Sequence, residues 1–342
     1  MAGEDFAAMG FWLLELILAS YLLSYGVEHL SKRYGGRFVG RTLMSVATTL
    51  PELAIVVYAA AEGSYGIALG SGLGSNLLMM TLGLALMLLI ATTKLSRAPL
   101  KGLNMSGFGL DKLFLILTSM IGALLFIDGY NYIDGVVFSG LFVAYLVLAF
   151  RETRMERGSR GPEIIAGQGQ PLRGPLGLNG DGPVRKASLI FLAGTLGIYL
   201  GAGPFIEALK GFAADTGVSA IVLAVIISPI AGEMPEKLSM VVLARKGEAG
   251  ANIAVANVLG SKILNNTLLL AVAVFGAMAY GGFYSRIAPT PILTDQVVLV
   301  TLVTVLAIVP MFKKSVGLKT GASLFAMYVA SILVQFQLPQ GI

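Results

Sequence analysis

"LPELAIVVYAAAEGSYGIALGSGLGSNLLMMTLGLAL", residues 50–86, is answered further along the chain by "MPEKLSMVVLARKGEAGANIAVANVLGSKILNNTLLLAV", residues 234–272. Pro51 aligns with Pro235, Glu52 with Glu236 and Gly63 with Gly247. After a two-residue insertion, Gly74-Ser75 aligns with Gly260-Ser261 and Thr81 with Thr267. Each copy sets a Pro-Glu pair inside an apolar run. From Phe38 to Ala61 the only charges are Arg41 and Glu52. An isolated carboxylate in hydrocarbon costs several kcal/mol, so two at matching repeat positions call for a functional reason.

The surroundings read as membrane. The chain has 342 residues, of which 56% are hydrophobic and only 13% charged, with a mean hydropathy of +0.82. A soluble domain would carry about 25% charged residues. Apolar runs near 8–30, 38–61, 65–91, 111–127, 133–150, 187–209, 216–244, 249–280, 293–311 and 317–337 approach the twenty residues that span a ~30 Å hydrocarbon core. The expected fold is an all-α polytopic membrane protein with ten transmembrane helices. The first run follows "MAGEDFAAMG", which lacks a basic leader, so it is expected to remain as a helix. There are no cysteines and one histidine, which excludes disulfides, thiolate metal sites and multi-histidine sites.

Charge sets the expected orientation. With the N-terminus outside, the segments facing inward hold 20 of the 24 Lys and Arg residues, as the positive-inside rule requires. Both termini are then outside in a cell membrane, and the net charge of +5 needs no nucleic-acid partner. The stretch 151–186 is rich in Gly, Pro and charge and reads as a flexible cytoplasmic linker. It separates residues 1–150 from 187–342, five spans each. An odd number of spans makes the second half enter from the opposite side, so the two are expected as inverted repeats. That plan recurs in secondary transporters, whose sites lie at interrupted helices near the midplane.

Proline supplies the expected interruption, because it lacks an N–H and its ring obstructs the carbonyl four residues back. Broken helices before Pro51 and Pro235 would free carbonyls around Ala47-Thr48 and Ala231-Gly232. Carbonyls, hydroxyls and carboxylates together suit hard cations such as Ca²⁺ or Na⁺. The glycines of "GIALGSGLGSN", residues 66–76, stand four apart and read as a close helix contact pressing Ser75 and Asn76 toward the Glu52 helix.

"ATTLPEL" followed by "GSGLGSN", and the diverged "AGEMPEK" followed by "ANVLGSK", resemble the cation/Ca²⁺ exchanger superfamily of sodium/calcium and proton/calcium exchangers. The resemblance implies an antiporter moving Ca²⁺ against Na⁺ or H⁺ by alternating access, with spans 8–30 and 187–209 sliding and no cofactor. It implies Glu52 and Glu236 as central metal ligands. Thr48, Thr49, Ser75, Ser261 and the carbonyls of Ala47 and Ala231 would assist them, with polar residues of the following helix such as Asn76 and Asn265. The chain departs from the pattern at four places: Glu233 stands where Thr49 does in the first copy, Lys262 where Asn76 does, Met79 opposite Asn265, and Lys237 directly after Glu236. Glu233 counts among the expected ion-binding residues, and Lys262 and Lys237 are possible charge partners. Lys262, expected to reach Glu233 or Glu236, is either a tethered cation filling the place of a coupling ion or a structural salt-bridge partner. Glu15, in the first span, is either functional or paired with a lysine. Asp128, Asp134, Glu28 and Glu207 are expected to be solvated near span ends.

Other functions remain as alternatives: an antiporter for Mg²⁺ or Mn²⁺, or a passive cation channel using the same carboxylates. An intramembrane enzyme would need His or Cys partners at depth, and a pump would need a phosphate-binding GxxxxGK[ST] loop, which the sequence lacks.

Overall fold

The computed structural model describes the backbone of residues 2–34, 37–159 and 184–338. Side chains are described over 4–26, 49–152 and 185–338, Pro235 excepted. The first half contains α1 (Ala2–Tyr34), α2 (Arg37–Ala61), α3 (Tyr65–Leu78), α4 (Leu84–Thr92), α5 (Gly109–Leu125) and α6 (Tyr132–Ser159). The second contains α7 (Val184–Thr216), α8 (Ala220–Ala244), α9 (Glu248–Leu264), α10 (Leu270–Gly281), α11 (Pro291–Ile308) and α12 (Leu318–Gln335). One widened π turn, Met79–Gly83, joins α3 to α4, and another, Asn265–Leu269, joins α9 to α10. A two-residue strand β1 (Leu103–Asn104) pairs antiparallel with β2 (Ser315–Val316).

Among the described residues, eight helical stretches are long and apolar enough to cross a membrane, and Thr49–Ala61 and Ala220–Met234 are shorter apolar helices. Ten full-length apolar spans are thus more than these criteria give. In α8 the apolar run ends where Glu233, Glu236 and Lys237 arrive, and the side chains of the first part of α2 lie outside those described. The outer faces suit lipid: α1 exposes Phe11, Leu14 and Leu18, and α7 exposes Leu189, Leu192, Leu196 and Leu200, at helical spacing. A single soluble surface would not tolerate stripes of this size. The chain is an integral membrane protein.

Two sequence expectations are corrected. The linker is shorter than 151–186, since α6 continues to Ser159 and α7 already starts at Val184. Residues 160–183 lie outside those described. Neither Pro-Glu helix is broken, because α2 and α8 each run as one helix through Pro51 and Pro235. Proline removes one hydrogen bond and displaces one carbonyl, and neighbouring helices hold the remaining turns in line. In an unbroken helix the carbonyls that lose their donor are those four residues back, at Ala47 and Ala231. The interruptions instead fall one helix later, at the π turns, whose residues 79–83 and 265–269 match in the repeat.

Apolar side chains gather in two main clusters that leave a polar layer between them. Along α3 and α4, Ile67, Ala68 and Leu69 belong to the first cluster and Met79 to Ala91 contribute to the second. Along α9 and α10 the order reverses: Ala251 to Ile263 contribute to the second cluster, and Leu269 to Ala277 to the first. Helix α8 passes from Leu223, Ala224 and Ala231 in the first to Met240 and Ala244 in the second. Glu52, Ser75, Asn76, Glu233, Glu236, Ser261, Lys262, Asn265 and Asn266 occupy the layer in between, all buried.

Candidate ion-binding site

The site is assembled by close helix contact. An added Cβ at Gly74 would collide with the backbone of Val225, one at Gly70 would lie 3.1 Å from the Ile221 carbonyl, and one at Gly66 would lie 2.6 Å from Ile221 Cδ1. The glycine stripe of α3 therefore seats on α8, the Glu236 helix, and not on the Glu52 helix as the sequence suggested. Ile221, Ala224 and Val225, in the N-terminal half of α8, are the residues that meet these glycines. This contact brings Ser75 against Glu233.

Glu52 projects from α2 to the same helix. Its carboxylate lies so close to Gly232 that a Cβ there would overlap it. Glu52 is 1% exposed, and neither of its oxygens accepts a hydrogen bond from another of the described residues. A buried carboxylate in that condition is costly unless a positive charge joins it.

Glu236, one turn beyond Gly232 on α8, is held differently. Its Oε1 accepts from Asn257 Nδ2 at 2.9 Å and from Ser261 Oγ at 3.0 Å. Ser261, an expected oxygen donor, thus donates to Glu236, whereas Asn257 escaped the sequence reading. The signal was present: Asn257, Ser261 and Asn265 are spaced i, i+4, i+8 on one face of α9, and Asn257 aligns with Ser71.

The third carboxylate is occupied. Lys262, with no exposed surface, forms an ion pair with Glu233 through Glu233 Oε1. Ser75 Oγ donates to the same oxygen and accepts from Lys262 Nζ at 2.6 Å and Asn265 Nδ2 at 2.7 Å. Among the described residues, no three His, Cys, Asp or Glu side chains form a ready metal cluster. Glu233 is turned to the ammonium, which leaves two acidic side chains.

Other expected residues divide. Thr49 and Ala231 are buried in α2 and α8. Thr48 and the side chain of Ala47 lie outside the described side chains, as does Glu28. Asn76 turns to Asn266, donating from Nδ2 to Oδ1 at 2.5 Å, and Asn266 donates to Ser119 Oγ at 2.7 Å. These residues line a small cavity with Thr118 and Thr304, beside the carboxylates' layer. Lys237 is half-buried and donates to the Pro229 carbonyl at 3.4 Å. Glu15 has no lysine partner among the described residues. Its carboxylate fits against Gly197 and Gly201 of α7, where a Cβ would meet it.

Of the acidic residues expected in solvent, Asp128 is exposed and meets Arg286 at 3.4 Å, and Glu207 meets Lys210 at 2.9 Å. Asp134 differs: it is 5% exposed and accepts from the Asn131 backbone N–H at 2.8 Å. It closes the turn at the start of α6, and that local hydrogen bond draws it out of water.

The sequence pattern of this site is that of a known family. A model described as "Sodium/calcium exchanger protein" matches residues 6–151 and 186–337, and the chain belongs to that family. It is similar to an uncharacterized membrane protein of Methanocaldococcus jannaschii, with 26% identity over 331 residues covering 95% of this chain and 96% of that one. A putative antiporter, CaxA, of Alkalimonas amylolytica is 24% identical over 76% of this chain and 77% of its own. Among solved structures, the H⁺/Ca²⁺ exchanger CAX shares the fold with a TM-score of 0.78 at 21% identity, over 99% of this chain and 82% of that one.

Proposed function

We propose that this chain is a secondary-active antiporter exchanging Ca²⁺ for Na⁺ or H⁺ by alternating access, with Glu52 and Glu236 as central ligands. The observation that carries the reading is Glu52, whose buried oxygens lack donors among the other described residues and which lies against the helix bearing Glu236. The oxygen donors proposed to join it are the Ala47 and Ala231 carbonyls, Thr48 and Thr49 before Pro51, and Ser261, which donates to Glu236. Oxygen donors of this kind suit Ca²⁺. Family membership and the likeness to an H⁺/Ca²⁺ exchanger favour the same ions.

The mechanism follows from charge. With the site empty, two carboxylates stand in a layer closed by apolar clusters, and moving them across that barrier uncompensated is expensive. With Ca²⁺ or enough monovalent cations bound, the charge is neutralised and the helices are free to switch. Passage is then confined to loaded states, which is exchange rather than leak. Helices α1 and α7 are the elements proposed to slide. Gly194 of α7 lies so close to the α1 backbone at Ala19 and Leu23 that no side chain projects between them.

The transmembrane plan is proposed as ten spans in two inverted repeats, residues 1–150 and 187–342, with both termini outside. Several features support it. The π turns match, Gly63 and Gly247 share positive φ angles of 72° and 87°, and the two rods run in opposite senses between the clusters. The test is reconstitution into liposomes with Ca²⁺, Mg²⁺ or Mn²⁺ offered under imposed Na⁺ or H⁺ gradients. Gradient-driven Ca²⁺ uptake is expected. Currents far above carrier turnover would support a channel instead, and Mg²⁺ or Mn²⁺ uptake without Ca²⁺ would reassign the substrate.

A further inference from the structure

We infer that Lys262 is a built-in cation of the exchange site, and that it fixes the coupling at two monovalent charges per divalent cation. The inference rests on the antiporter reading above. Lys262 occupies the repeat position of Asn76, yet its ammonium does not occupy the place of that amide. Asn76 turns to Asn266, whereas Lys262 reaches Glu233 and Ser75 in the layer that holds Glu52 and Glu236. Four groups converge there: the Glu233 carboxylate, the Ser75 hydroxyl, the Asn265 amide and the ammonium. A carboxylate and a hydroxyl are what a bound monovalent cation would use, and the ammonium supplies the charge from within the chain.

The consequence is a charge count. Glu233 and Lys262 cancel, and Lys237 donates to a backbone carbonyl outside this group. Glu52 and Glu236 therefore carry the two charges that mobile ions must neutralise. One Ca²⁺ does so on one leg of the cycle and two monovalent cations on the other, so the cycle moves no net charge. Without the ammonium, Glu233 would require a third monovalent cation. Removing one member of a buried pair leaves the other uncompensated, so a third mobile cation is expected on the monovalent leg alone. The Ca²⁺ leg then crosses with one unbalanced carboxylate, fewer than the two that hold the empty site back.

The experiment uses the full chain in liposomes with membrane potential clamped by K⁺ and valinomycin, reading the Ca²⁺ gradient reached at equilibrium. The wild type is expected to reach the same gradient at any potential. Lys262→Asn is expected to carry one more monovalent cation per Ca²⁺, so its gradient shifts about 50-fold per 100 mV, the effect of one charge. Glu233→Gln/Lys262→Asn, which removes the pair together, should return to voltage independence. A voltage-dependent wild type, or an unresponsive Lys262→Asn that exchanges Ca²⁺, would overturn the inference while leaving the antiporter reading intact. Should Lys262→Asn fail to fold, the wild type and the double variant still decide, since both must exchange two charges for one Ca²⁺. Absence of any gradient-driven Ca²⁺ movement in the wild type would overturn the antiporter reading and this inference with it.

Discussion

Glu52 and Glu236 are matched in sequence but not in condition. Glu236 accepts from Asn257 and Ser261, so its carboxylate is aimed by these two donors. Glu52 receives no such help among the described residues and, on the proposal above, depends on the ion. Hydrogen bonds to charged groups contribute about 1.5–3 kcal/mol, so Asn257→Ala should weaken apparent Ca²⁺ affinity roughly tenfold or more. The half-saturating Ca²⁺ concentration for uptake measures this, with maximal rate largely kept, and an unchanged value would show that Ser261 alone aims Glu236. The glutamates were legible because a Pro-Glu pair inside an apolar run has few neutral explanations. Asn257 was not, because amides are common on helix faces and its partner lies 21 residues away on another helix. The Lys262–Glu233 pair was half legible: two charges at depth had to meet something, but sequence alone left Glu233 and Glu236 as equal candidates.

At the scale of elements, α3 and α8 owe their approach to glycine. Gly74 meets the Val225 backbone, which cannot yield as a flexible side chain would, whereas a Cβ at Gly140 meets nothing within 4 Å. Gly74→Ala should therefore cost on the order of 1–3 kcal/mol, the range for overpacking, and shift Ser75 from Glu233. Thermal unfolding in detergent should show a clear loss for Gly74→Ala and none for Gly140→Ala, and equal stability of the two would remove the contact from the account. The stripe itself was visible as glycines four apart, but its partner was not, since spacing says that a helix approaches without saying which. Proline was misread for a related reason. Its chemistry guarantees a lost hydrogen bond, but the bracing of neighbouring helices decides whether the helix opens, and α2 and α8 stay whole.

For the molecule as a whole, the proposed topology places Lys101 inside and Ser285 outside. The chain has no cysteine, so Lys101→Cys and Ser285→Cys each carry a single thiol. In right-side-out cells an impermeant maleimide should label Ser285→Cys and spare Lys101→Cys until the membrane is opened; the reverse pattern would invert the topology. Membrane character was readable from composition. The count of spans was softer, because the helices that carry the site are also those that charged residues make least apolar. On the proposed mechanism Glu52 is a ligand of the transported cation. The most direct test is equilibrium binding of radiolabelled Ca²⁺ to purified wild type and Glu52→Gln, in detergent without Na⁺. Saturable binding by the wild type and none by a folded Glu52→Gln is the predicted result. Equal binding by both would contradict it.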